Sequence, residues 1–385
     1  MNILLVAHDC CLAGSQQSFL RILRWLANNT DWNIAIIALD EGPLSSVYSQ
    51  LAPLYICNDF DKISKDVFIG KLKKIIKWTP DIIFGNTVVS AKIYDYLQNF
   101  KCPIVSRIAE LESSIDMYAS QETIDKLVNY TDVYIAVSHS VSEMLQRRFH
   151  IHPDIINIIN GAIEPHPTKF DHARRNEIFR TFNISQKKLI LWGCGSVTHR
   201  KGADLFLSVA ENLLSLGFKN FHALWAGQPQ DGLVKQLFLD KERSPARGLV
   251  SFTGPIDAPQ LLMKPGDIFL MTSREDPFPL VCLEAAERGV PSICFPGTGG
   301  IVDFIRRGGG LVAGSLDPLE MARKAMLFFR EPDLAVALGK RAQQFVVKHH
   351  TMDAAGPLFA KLFLSIVTRQ KILWENTYHE KFQHI

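Results

Sequence analysis

The sequence predicts an α/β protein built from two doubly wound, Rossmann-like domains facing a central cleft. Three observations predict it. Short apolar runs recur along the chain with amphipathic segments between them, the runs are apolar without alternation, and a proline-bearing, charged stretch divides them into two series. Unbroken β-branched runs mark strands covered on both faces, as in parallel sheets. Strand alternating with helix gives βαβ units, whose right-handed crossovers place helices on both faces.

The first series is NILLVAH (2–8), NIAIIAL (33–39), DIIFGN (81–86), PIVSRI (103–108), DVYIAVS (132–138) and DIINIIN (154–160). After its first member, Phe19, Ile22, Leu23 and Leu26 fall at helical spacing and make one apolar face. The second series is KLILWGCG (188–195), FHALWAG (221–227), LVSFTG (249–254), DIFLMTS (267–273), PSICFPG (291–297) and GLVAG (310–314). Between them, EPHPTKFDHARRNEIF reads as a linker, because Pro165 and Pro167 break regular structure and charge follows. The expected division is therefore a first domain over 1–165, a linker over 166–187 and a second domain over 188–366. A C-terminal segment, 367–385, is expected to pack back on the first domain.

Bulk properties narrow the function. A chain of 385 residues suits two domains. Its 47% hydrophobic and 21% charged residues are those of a globular protein. A formal charge of +3 is too small to suggest a nucleic-acid partner. MNILLVAHDCC lacks the basic start and cleavage site of a signal peptide, and no run approaches the roughly 20 apolar residues of a membrane span. The seven cysteines are scattered without CxxC spacing, which fits reduced thiols in a cytoplasmic protein.

Candidate chemistry gathers where strands run into helices, the place where such folds bind ligands. WGCGSVTHRKGADLFL sets Gly193 and Gly195 at a strand end, then Arg200, Lys201 and Gly202 ahead of a helix carrying Leu205, Phe206 and Val209. Two fixed cations beside a helix start could hold a diphosphate. A plain strand–turn–helix with solvated charges is an equal alternative. The spacing matches neither GxGxxG nor GK[ST].

In SREDPFPLVCLEAAERG, the strand ends before Glu275, Asp276, Pro277 and Phe278, and a helix begins near Pro279 and Leu280 and stops at Gly289. Asp276 lies before that helix and Glu284 in its second turn. Carboxylates on either side of a helix start can accept hydrogen bonds from sugar hydroxyls; capping and packing are the competing explanation. Gly297, Gly299 and Gly300 make a glycine loop before Asp303. Gly14 and Ser15 stand at the first strand–helix turn, where Ser15 could face a ligand or cap the helix.

Together these residues resemble GT-B glycosyltransferases, specifically family 4 (glycosyl transferases group 1), over nearly the whole chain and most strongly from about residue 188 to 314. The family's pattern SxxExFGxxxxEAxxxGxP reads SREDPFPLVCLEAAERGVP here. The resemblance implies a retaining, metal-independent transfer of a sugar from a nucleotide-diphosphate sugar to a hydroxyl acceptor, with no cofactor. Glu284 would bind the ribose hydroxyls. Asp276 stands in place of the family's first glutamate, the donor-sugar contact, with Glu275 adjacent. Lys201 and Arg200 would hold the diphosphate, with Ser196 where the family often has arginine. Gly14, Ser15, Gly195, Phe278, Pro279 and Leu280 would complete the donor site, and Lys201, Asp276 and Glu284 would be the catalytic set. In SRIAELESSI, Ala109 occupies the family's usual histidine position.

The same resemblance implies cell-surface polysaccharide or lipopolysaccharide synthesis, a saccharide or lipid-linked acceptor, and no nucleic acid. An epimerase of the same fold and a non-catalytic sugar-nucleotide-binding subunit are the alternatives. GKLKKIIKW (70–78) alternates Lys71, Lys73, Lys74 and Lys77 with Leu72, Ile75, Ile76 and Trp78. It could rest on the inner membrane face, or simply pack its apolar side on the sheet. Asp59–Asp61 spells a DxD that metal-dependent transferases of another fold use. It lies in a polar loop and is read as no metal site.

Overall fold

The computed structural model describes residues 1–166, 170–230 and 232–382. Two compact units emerge: Met1–Ala162 with Met352–Ile385, and Ile163–Thr351. The first unit carries β1 (Asn2–Ala7), β2 (Asn33–Ala38), β3 (Leu54–Ile56), β4 (Ile82–Asn86), β5 (Ile104–Ile108), β6 (Val133–Ala136) and β7 (Ile156–Ile158). They pair in parallel in the order β3-β2-β1-β4-β5-β6-β7. The second unit carries β8 (Leu189–Cys194), β9 (Phe221–Ala226), β10 (Val250–Phe252), β11 (Ile268–Met271), β12 (Ser292–Cys294) and β13 (Gly310–Val312), in the order β10-β9-β8-β11-β12-β13. Each order reverses beside its first strand, so each sheet is doubly wound.

All twelve expected runs contain a strand. The thirteenth, β3, is a three-residue strand at the sheet edge of which only Tyr55 is buried, and it is not among those runs. Burial explains the missing alternation: every residue of β4 and β5 is buried, as in strands covered on both faces. The helix Gly14–Asn29 turns Phe19, Ile22, Leu23 and Leu26 into the core, as their spacing predicts. Ser15 is inside its first turn, not its cap; Ala13 holds the cap position without a side-chain bond.

The units divide at other residues than the sequence suggested. The segment read as linker contains a helix, His172–Thr181, built into the second unit. Its Arg175 is 4% exposed and forms a two-pronged pair with Asp267, at 2.5 and 3.0 Å. Asp267 also accepts from the Trp192 indole at 3.0 Å and from the Lys264 backbone at 3.1 Å. A run of charge thus hides one buried anchor.

The chain also re-enters the first unit at Met352 rather than at 367. Phe359, Phe363 and Val367 of the helix Met352–Phe382 are buried in that unit's core, with the Phe359 and Phe363 rings 6.2 and 5.3 Å from Phe84. Residues 383–385 of the expected C-terminal segment lie outside the described residues.

Residues 70–78 fall mostly in the helix Lys65–Ile75. Leu72 and Ile76 are buried while Lys71, Lys73, Lys74 and Lys77 are exposed, so the apolar side packs inward and lysines face solvent. Among the described residues no helix is long and apolar enough to cross a membrane.

Candidate functional site

The second unit gathers its polar groups at the carboxyl ends of β8 and β11, neighbours at the point where the strand order reverses. Gly193 and Gly195 have separate reasons. Gly193 lies within β8 under the Trp225 ring, where a Cβ would come within 2.4 Å of that ring. It serves packing, not a ligand turn. Gly195 makes the turn, with φ at +139°, and its carbonyl accepts from the Trp225 indole at 2.9 Å.

The turn runs through Arg200 and Lys201 into the helix Ala203–Ser215. Lys201 Nζ donates to Asp276 Oδ2; the lysine side chain is 18% exposed and the carboxylate 7%. Arg200 donates to the Glu275 carbonyl at 2.9 Å. The two loops are tied again by Arg274, whose guanidinium grips Asp204 at 2.8 and 2.6 Å and the His199 carbonyl at 2.7 Å. Burial pushes Asp204 upward, but the hydrogen bond and charge of Arg274 outweigh it and hold that carboxyl below its usual range.

Asp276 is fixed from its other side by the glycine loop. Its N–H donates to the Thr298 carbonyl at 2.7 Å, and a Cβ at Gly299 would lie 1.7 Å from the Asp276 carbonyl oxygen. Gly299 also has φ at +131°, so no other residue suits the position. After Asp276, Pro277, Phe278 and Pro279 are buried, and Leu280 opens the helix Leu280–Glu287 with Pro279 at its cap. Asp303 is exposed and takes no part.

Glu284 is half-buried in that helix's second turn. The Cys194 thiol locates it electrostatically. Burial pushes that thiol up to about 12, the negative charge of Glu284 adds to the rise, and Lys201 opposes it. One thiol at the end of β8 therefore lies within charge range of both Lys201 and Glu284. The sequence-predicted Gly195, Arg200, Lys201, Glu275, Asp276, Phe278, Pro279, Leu280 and Glu284 are all set on this pair of loops and one helix. Arg274, Asp204 and Thr298 were missed in the sequence. Arg274 lies directly between strand and acidic turn, but only three dimensions show its partner.

Gly14 and Ser15 belong to the first unit, where a second polar cluster occupies the ends of β1, β4 and β5. The Ser15 hydroxyl donates to Gln16 Oε1 at 2.6 Å, and the Gln16 amide meets His8 Nε2 at 2.7 Å. His8 Nδ1 is 2.8 Å from the Thr87 hydroxyl, and Thr87 is held at φ +79°. Arg107 is buried against Asn86 and Ser18 at 2.8 and 2.9 Å. Glu110 accepts from the Ala109 and Val88 backbones at 2.8 and 3.4 Å. Burial raises the Glu110 carboxyl to about 7 against those bonds and the charge of Arg107. None of these side chains formed a recognisable spacing, because they come from three separate strand ends.

Asp59 of the DxD run pairs with Lys71 at 3.2 Å. Among the described residues no group of three or more His, Cys, Asp or Glu could hold a metal ion.

Comparison with known proteins bears on the second unit most directly. Residues 174–345 match the family described as Glycosyl transferases group 1. That match lies within the second unit, Ile163–Thr351. The O-antigen biosynthesis glycosyltransferase WclY of Escherichia coli is 29% identical to this chain over 117 residues, 30% of either protein. The chain thus spans about 30% of that relative's length in the match. The N-acetyl-alpha-D-glucosaminyl L-malate synthase of Bacillus anthracis is 24% identical over 272 residues, 67% of each. Among solved structures, Anabaena Alr3699/HepE in complex with UDP and glucose superposes with a TM-score of 0.79 at 15% identity, covering 95% of this chain and all of that one. WaaG, a glycosyltransferase involved in lipopolysaccharide biosynthesis, gives 0.66 at 16% identity, covering 92% and 96%. The two units together have the GT-B fold, with parallel sheets of seven and six strands.

Proposed function

We propose that the protein is a retaining glycosyltransferase. It moves a sugar from a nucleotide-diphosphate sugar to a hydroxyl of a saccharide or lipid-linked acceptor in cell-surface polysaccharide or lipopolysaccharide synthesis. The observation that carries this is the convergence of Lys201, Asp276 and Glu284 at the ends of β8 and β11 in the unit that matches group 1. The presence of UDP and glucose in the Anabaena structure, which shares the fold, supports the donor class.

Lys201, Arg200 and the start of the helix at Leu280 supply positive charge where the departing diphosphate gains negative charge. The bond from the anomeric carbon to the diphosphate oxygen breaks as the acceptor oxygen bonds that carbon on the same face. The acceptor proton passes to a leaving-group phosphate oxygen, so the reaction needs neither a protein base nor a metal. Glu284 accepts from the ribose hydroxyls, and Asp276, with Glu275 beside it, from the sugar. Gly14 and Ser15 belong to the donor contacts of the first unit. The protein works in the cytoplasm, and Lys71, Lys73, Lys74 and Lys77 draw it electrostatically to anionic lipid at the inner membrane face.

Incubating the protein with UDP-, GDP- and ADP-sugars, with and without an extract of envelope lipids and saccharides, tests the reaction. Transfer predicts a sugar-bearing product only when the extract is present. Conversion of the sugar without extract would make the protein an epimerase. A donor that binds but is never consumed would make it a binding subunit.

A further inference from the structure

The ion pair between Lys201 and Asp276 joins two groups that the donor reading assigns to different parts of one ligand. Its surroundings leave the carboxylate little freedom. The backbone of Asp276 is held by the Thr298 carbonyl at 2.7 Å and by the close passage of Gly299, and Pro277 follows it. With that backbone held, the pair separates through side-chain torsions, those of Asp276 or of the longer Lys201 stem. The neighbouring cations are engaged elsewhere, Arg200 on the Glu275 carbonyl and Arg274 on Asp204. With 7% of its side chain exposed, Asp276 depends on Lys201 for its counter-charge.

A diphosphate that binds Lys201 competes with this carboxylate for the ammonium and brings like charge beside it. A free nucleoside diphosphate then leaves the nearly buried Asp276 with its counter-charge shared and negative charge added next to it. An intact donor brings sugar hydroxyls, which donate hydrogen bonds to the same carboxylate and offset the loss. We propose that the Lys201–Asp276 pair is an exchange switch by which the second unit favours an intact nucleotide-diphosphate sugar over the spent nucleotide. Asp276 competes with free diphosphate for Lys201 and rewards the sugar, so the pair also speeds departure of the nucleotide product. This rests on the donor reading above.

Calorimetric titration with UDP, GDP and ADP, and with their glucose conjugates, tests the switch in wild type, Asp276→Asn and Asp276→Glu. For the nucleotide that binds, Asp276→Asn is expected to bind the free diphosphate about tenfold more tightly, because the competing charge is gone. The same variant should bind the sugar conjugate no better than wild type, so the preference for the conjugate falls about tenfold or more. Asp276→Glu keeps the charge and should hold the free diphosphate within about threefold of wild type. Asp276→Ser, a smaller neutral side chain, takes the place of Asp276→Asn if that variant does not fold.

Weaker binding of the free diphosphate by the neutral variants would overturn the switch and make Asp276 a support that merely orients Lys201. Unchanged binding would overturn it too. If wild type and every variant bind no nucleotide, the donor reading itself fails and the switch falls with it, an outcome distinct from a nucleotide that all of them bind alike.

Discussion

Replacing Lys201 by alanine is expected to lower kcat/KM for sugar transfer by about 10²–10³-fold, the usual cost of removing one preorganised electrostatic group. The lysine is placed for that role. It follows the β8 turn, its own carbonyl accepts from the Thr272 hydroxyl at 3.3 Å, and its side chain is 18% exposed, accessible to a ligand yet partly shielded from water. A partly desolvated cation acts on a developing negative charge more strongly than a solvated one. Steady-state rates with the cognate donor check this. The loss should appear mainly in kcat if Lys201 works chiefly on the transition state, and a change below about threefold would remove it from the chemistry.

Arg175→Ala is expected to be the most destabilising of these substitutions, by about 3–5 kcal/mol, because it strands a buried carboxylate. Asp267 is 2% exposed and would retain only the Trp192 indole and the Lys264 backbone as donors. Neutral donors do not replace a guanidinium. Combining Arg175→Met with Asp267→Asn removes both charges and keeps an acceptor for Trp192, so much of the loss should be recovered. Urea unfolding followed by tryptophan fluorescence measures both variants, since Trp192 lies beside the pair. A loss under about 1 kcal/mol for the single variant would mean that water or rearrangement satisfies Asp267.

These two residues show what the sequence makes legible. The placing of Lys201 between a strand end and a helix start was legible because strand, turn and helix lie in one continuous stretch. The same holds for Asp276 and Glu284, eight positions apart across a single turn and helix. Strands were legible because burial on both faces leaves an unbroken apolar run, as in β4 and β5.

Arg175 could not be found, because its meaning depends on Asp267, 92 positions away. In isolation it is one charge among several in a polar stretch. The re-entry at Met352 was hidden for a similar reason: Phe359 and Phe363 look like any helix's apolar face until Phe84 is seen opposite them. The cluster of His8, Thr87, Arg107 and Glu110 draws on three strands, and Thr87 at φ +79° has no signature in its residue type. Contacts closed by topology, rather than by neighbouring residues, escape a linear reading.

Thermal-shift titration of wild type and Glu284→Ala with UDP, GDP, ADP and their sugar conjugates puts the donor site to the most direct test. A ligand that binds the native protein raises its melting temperature by mass action. One nucleotide series is expected to stabilise the wild type, and Glu284→Ala, lacking the proposed ribose contact, is expected to lose most of that response. No shift in the wild type with any nucleotide, or an undiminished shift in Glu284→Ala, would contradict the assignment.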